Sequence, residues 1–162
     1  MEVVNQILLV DKDTATNTET DNKIKGSRIT KNVKVALNGG HALLYLEQIN
    51  DRLNESNLVI LLGMDMPIMN GYEFLNSYFS CKFLNRDKIL LIVLKDNLTD
   101  EKIAFLKAKG VNNFITKDFE PKALELVISS HFNIAKENSN SNNVKMRNKI
   151  NNSPTFQRMN AA

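Results

Sequence analysis

Most of the residues that could do chemistry in this sequence sit in four short loops. They are Asp11-Lys12-Asp13, the stretch from Gly63 to Asn70 with Asp65 inside it, Lys95-Asp96-Asn97 and Lys117-Asp118. Carboxylates in such loops could bind a hard cation, which takes oxygen ligands. Lysines could hold an anion. Mixed together, the two can also pair with each other. In that reading Lys12, Lys95 and Lys117 face Asp11, Asp13 and Asp65, an internal ion-pair cluster that needs neither metal nor phosphate. The other reactive groups are scattered. His41 and His131 lie too far apart for a metal motif, and Cys81 is alone. No internal disulfide can form, and a reducing, cytoplasmic compartment is expected.

Each loop follows a short apolar run. Residues 6–10, 33–37, 58–62 and 89–94 are aliphatic runs of the kind that suit strands buried on both faces, and 113–116 is a weaker fifth. Helical spacing fills the gaps at 40–50, 71–81 and 99–109, where Gly110 stops the pattern. A last helix is expected from Pro121, a favoured first helical residue, with Leu124, Val127, Ile128 and His131 on one face. Strands alternating with amphipathic helices argue for βαβ units around a parallel sheet. Ligands bind such sheets at the carboxyl ends of the strands, where the four loops fall. One crossover fits poorly. Residues 14–30 carry threonine at positions 14, 16, 18 and 20 and few apolar anchors, so a short or loosely packed helix is expected there.

The chain has 162 residues, enough for one domain with a sizeable core. Its longest clean apolar run, 89–94, is far too short to cross a membrane. The formal charge of +3 is unevenly spread. Residues 136–162 hold five cations (Lys136, Lys145, Arg147, Lys149, Arg158) and one acid, Glu137, which leaves −1 for residues 1–135. The segment 136–162 is rich in Asn and Ser with few apolar residues. It reads as a flexible basic tail behind a folded domain of 1–135.

The loops and their flanks resemble the receiver domains of two-component response regulators over residues 6–130. The main anchor is Leu61-Leu62-Gly63-Met64-Asp65-Met66-Pro67-Ile68-Met69-Asn70-Gly71-Tyr72-Glu73-Phe74-Leu75. Receivers there read L-L-D-x-x-M-P-x-M-[DN]-G-x-E-x-L. Further anchors are Leu98-Thr99-Asp100-Glu101, Lys109-Gly110-Val111 and Phe114-Ile115-Thr116-Lys117. The resemblance implies a flavodoxin-like (βα)5 fold, doubly wound, with strand order 2-1-3-4-5.

It also implies a phosphorylation pocket, and here that pocket is altered. An aspartate normally accepts the phosphoryl group with Mg²⁺, and a lysine and a hydroxyl hold the product. Gly63 stands in the phosphoacceptor's place. Asp11 matches the first acid after strand one, Lys12 replaces the second and Asp13 matches a third. Asp65 holds a position whose backbone carbonyl usually meets the metal. Lys95 replaces the hydroxyl residue, and Lys117 matches the phosphate-binding lysine. Phe114 matches the aromatic switch position, and Asp118 replaces the proline after the lysine. No metal is expected: Asp11, Asp13 and the Asp65 backbone are the donors left for one, so Mg²⁺ binding should be lost or weak. No enzymatic activity and no cofactor are expected. The partners implied are proteins: a histidine kinase, a phosphotransfer protein or another regulator. They would meet the face carrying Lys107, Phe114, Lys117 and Asp118. A homodimer is left open.

Two rival readings come from other segments. Thr14-Ala15-Thr16-Asn17-Thr18-Glu19 resembles the phosphate loop T-x-T-G-N-T of flavodoxins, which bind FMN, although its glycine is missing. The basic tail could bind nucleic acid, but Phe156 is its only aromatic residue, and the signal is weak.

Overall fold

Five parallel strands, β1 (Gln6–Val10), β2 (Val33–Ala36), β3 (Leu58–Leu62), β4 (Ile89–Leu94) and β5 (Phe114–Ile115), form one sheet in the order β2-β1-β3-β4-β5. This is the expected flavodoxin-like order. The computed structural model describes residues 2–133. The chain divides into two compact units, Met1–Ile128 and Ser129–Ala162. Of the second, residues 129–133 are described, and they are helical. The expected boundary at 135 and the tail 136–162 lie outside the described residues. Among the described residues, no helix is long and apolar enough to cross a membrane.

All five residues of β3 are buried, as expected of the central strand of a parallel sheet covered on both faces. Leu8, Val10, Ile60, Leu62 and Val93 cluster with Leu46, Phe74, Tyr78 and Leu106. The alternate residues Ile7, Leu9, Val59, Leu61 and Ile92 are also buried, outside that cluster, as are Ile24, Leu124 and Ile128. Side chains alternate faces along a strand, so the sheet carries helices on both sides.

The helices are α1 (Thr14–Lys25), α2 (Gly39–Ile49), α3 (Gly71–Ser80) and α4 (Asp100–Ala108). A fifth, α5, covers 121–133 of the described residues. Each of the first four starts at a side-chain cap: Asp13 to the Thr16 N–H, Asn38 to His41, Asn70 to Glu73 and Thr99 to Lys102. Asn70 and Glu73 form a reciprocal capping box. Gly110 ends the α4 segment with φ +110°, a conformation that glycine adopts freely.

The first crossover departs from expectation. The α1 helix is not short; it has 12 residues. Its cap supplies what propensity lacks, and the Thr18 hydroxyl bonds back to the Thr14 carbonyl at 2.9 Å. The expectation of an apolar-poor inner face holds, since its buried residues are Asn17, Thr20 and Ile24.

Candidate functional site

Register brings the four loops together. Val10 pairs with Ala36 and Leu62, Leu62 with Val93, and Leu94 with Ile115. The next residues along β1 and β3 are therefore neighbours, Asp11 beside Gly63. They lie at the bottom of a cleft of about 500 Å³ that Lys12, Asp65, Asp96 and Lys117 also line.

Asp11 is the best-held acid of the cleft. It is 4% exposed, and its Oδ2 lies 2.8 Å from Lys117 Nζ. Its Oδ1 accepts the Asp13 N–H at 3.0 Å. Its own backbone is clamped from both sides: its N–H donates to the Ala36 carbonyl at 3.1 Å, and its carbonyl accepts from Asn17 Nδ2 at 2.8 Å. Charge-assisted bonds of this kind are the strong ones, and a buried carboxylate needs them.

Gly63 explains where that carboxylate fits. The Gly63 N–H donates to the Val10 carbonyl at 2.7 Å. A Cβ built at this position would lie 2.8 Å from Asp11 Oδ2, 3.1 Å from its Cγ and 3.1 Å from the Val10 carbonyl oxygen. The first of these is closer than real Cβ contacts come. The Asp11 carboxylate thus crowds the space that the first carbon of a side chain at 63 would need.

A second ion pair sits at the rim. Lys12 Nζ meets Asp65 Oδ2 at 2.6 Å, with the side chains 49% and 92% exposed. The Lys12 ammonium holds the Asp65 carboxyl below its usual value. Asp13 pairs with no lysine among the described residues. It caps α1, and the Thr16 N–H lowers its carboxyl pKa.

The expected cluster is therefore corrected in two members. Lys95 is exposed, does not line the cleft and makes no ion pair among the described residues. The reason is strand parity. Leu94 and Asp96 both line the cleft, so the residue between them turns the other way. Its backbone N–H still extends the ladder, donating to the Ile115 carbonyl at 2.9 Å. Asp96 takes the inward place, and its carboxylate accepts the Lys117 backbone N–H at 2.8 Å. Asp13 does line the cleft and feels the Lys117 charge, but its carboxylate is used as the α1 cap and forms no ion pair among the described residues.

On the neighbouring face, Phe114 is half-buried and packs against the core cluster. Lys107 Nζ lies 5.9 Å from its ring centroid, within cation–π range. Lys107 and Asp118 are exposed. The expected partner surface is thus accessible at Lys107 and Asp118, while Lys117 is half-buried and turned to Asp11.

Residues 14–19, which resemble a flavodoxin phosphate loop, lie inside α1. The segment is helical from Thr14 on, and the Thr16 and Asn17 N–H groups bond to Asp13, so it forms no open loop that could wrap a phosphate. Beyond the residues of the four loops, Tyr72 and Lys102 also line the cleft, and Asn17 anchors the Asp11 carbonyl from α1. A signal was available for Asn17, a polar residue at the inner-face spacing of α1. None marked Tyr72 or Lys102 before the loops were closed.

No family model matches the sequence, and no curated protein matches it. Solved structures do. A two-component response regulator from Cytophaga hutchinsonii is 20% identical, with a TM-score of 0.69 over 80% of this chain and 98% of that one. A response regulator receiver protein from Dyadobacter fermentans is 19% identical, with a TM-score of 0.68 over 78% and 97%. A bacteriophytochrome response regulator is 27% identical, with a TM-score of 0.60 over 78% of each chain. Together with the strand order and the placement of the loops, these define the class: the chain has the fold of a response-regulator receiver. Within that class, this chain carries Gly63 at the carboxyl end of the central strand.

Proposed function

We propose that this chain works in two-component signalling as a receiver that docks on other proteins and accepts no phosphoryl group itself. The single observation behind this reading is the position of Asp11. Its carboxylate pairs with Lys117 at 2.8 Å and stands 2.8 Å from where a Cβ on residue 63 would be. A receiver that is phosphorylated needs a carboxylate nucleophile at that place, with the lysine beside it to hold the product. Here the nucleophile is absent and the lysine is engaged.

The donor set supports the same reading for the metal. A hard divalent cation takes several oxygen ligands, commonly carboxylates. Asp11 is committed to Lys117, the Lys12 ammonium stands at the rim and position 63 offers only backbone. This set does not fit Mg²⁺. The module needs no cofactor, and it has no turnover of its own. Its partner would be a histidine kinase, a phosphotransfer protein or another regulator, meeting Lys107, Phe114 and Asp118.

Affinity purification of the whole chain from its native cell, with and without a small phosphodonor, tests the docking half of this reading. Enrichment of a signalling protein of one of these three kinds, unchanged by the donor, is expected. Failure to enrich any of them in either condition counts against it.

A further inference from the structure

A second concave surface shares none of the cleft's lining residues. An apolar groove of about 540 Å³ runs between α2 and α3, with Leu43, Leu46, Met69 and Leu84 among its lining residues. Leu44, Ile68 and Phe83 also line it and are exposed, with Ile68 at 88%. Large apolar patches on a soluble domain commonly mark a contact site.

Ile68 gives the surface its direction. Its φ is +68°, a left-handed conformation that is a genuine outlier for a β-branched residue. An exposed side chain gains almost nothing from burial, so neither packing nor backbone geometry accounts for isoleucine here. Strain held at such a position is a mark of a functional contact.

The same face carries both halves of a fit. Its groove can receive an apolar knob, and Ile68 and Phe83 are knobs at its rim. Its charges also complement each other. His41 and Leu44 form a ridge shared by the groove and a second, smaller cleft. Glu47 lies on the groove side of that ridge and Lys34 on the other side, and both are exposed. In a two-fold pair contacts are reciprocal, and residues away from the axis meet different residues of the other copy. Lys34 of one copy can therefore meet Glu47 of the second while the knobs fill the grooves.

We infer that the α2–α3 face is where two copies of this chain associate. This surface is separate from the α4–β5–α5 face assigned above to signalling partners, so the dimer leaves that face free.

Sedimentation velocity of the full chain over a concentration series tests the inference. Wild type is expected to shift from 18.4 kDa toward twice that mass as concentration rises into the tens-of-micromolar range. Ile68→Asn, which removes both strain and knob, and Glu47→Lys are each expected to weaken association at least tenfold. The double variant Lys34→Glu/Glu47→Lys exchanges the two charges and is expected to recover it. A wild-type chain that stays at the monomer mass overturns the inference. So does a dimer indifferent to Ile68→Asn and Glu47→Lys, because it must then use another face. A double variant no better than Glu47→Lys refutes the charge register. Folding of each variant is checked by circular dichroism, and the charge-swap recovery itself separates lost contact from lost fold.

Discussion

Replacing Gly63 by alanine puts one methyl group where the Asp11 carboxylate already stands. The added carbon would meet Asp11 Oδ2 at 2.8 Å and the Val10 carbonyl at 3.1 Å. Asp11 can yield only by turning, and turning breaks its bond to Lys117. Overpacking of this kind costs about 1–3 kcal/mol. The backbone offers no objection, since Gly63 does not have a positive φ, and a compatible Gly→Ala change returns about 0.4–1 kcal/mol through the unfolded chain. A net loss of about 1–2 kcal/mol is expected from these opposing effects. In an Asp11→Ala background the carboxylate is gone and the Val10 carbonyl at 3.1 Å still presses on the new methyl, so the same change should be close to neutral, the remaining contact offsetting the gain through the unfolded chain. The four proteins of this cycle, compared by urea denaturation with the slopes checked for equality, should give a coupling of about 1–2 kcal/mol. If Gly63→Ala costs the same in both backgrounds to within roughly 0.5 kcal/mol, the claim that Asp11 occupies the space of the missing side chain is wrong.

Three further predictions follow from single contacts. Ile68→Asn should raise stability by about 1 kcal/mol, because asparagine tolerates the left-handed backbone that costs isoleucine roughly 1–2 kcal/mol; an unchanged urea midpoint argues against strain there. The two ion pairs should differ sharply. Lys117→Met leaves the buried Asp11 without its cation and should cost roughly 1–3 kcal/mol, whereas Lys12→Met, at an exposed pair, should cost less than about 0.5 kcal/mol; equal losses in thermal or urea melts contradict that ranking. Tyr78 gives a pH dependence. Burial pushes its hydroxyl pKa up to about 12, above its unfolded value. Between those two values the unfolded chain has released the proton and the folded chain has kept it, so stability falls as pH rises from about 10 toward 12. Tyr78→Phe removes this slope, and an alkaline stability profile identical to wild type is evidence against it.

How much of this could be read from residues alone varies with the physics involved. The strands were legible because aliphatic runs such as 58–62 have few alternatives to a buried central strand. The cleft's position followed from the same runs, because the loops that end them must gather at one edge of a parallel sheet. The pairing inside the cleft was less legible. Lys95 matches the hydroxyl position in the motif, but the direction of its side chain is set by the alternation that runs on past the end of β4, and the places facing the cleft fall to Leu94 and Asp96. Asp13 looked like a member of the acid cluster, yet three residues on it meets the Thr16 N–H as a helix cap. The threonine-rich α1 was underestimated because propensity scales leave out that cap. Ile68 was visible only as part of a motif. Its strain and exposure appear once the loop between β3 and α3 is closed.

The central claim is that this receiver fold holds an engaged acid–lysine pair in place of a phosphoacceptor. Intact-mass spectrometry of the whole chain after incubation with Mg²⁺ and a small phosphodonor tests it most directly, for wild type and for Gly63→Asp. No gain of a phosphoryl group is expected in wild type. Little is expected in Gly63→Asp, because the new side chain would still meet Asp11 and compete with it for Lys117. A stoichiometric acyl phosphate on the wild-type chain would contradict the account outright, and ready labelling of Gly63→Asp alone would show that the pocket is open after all.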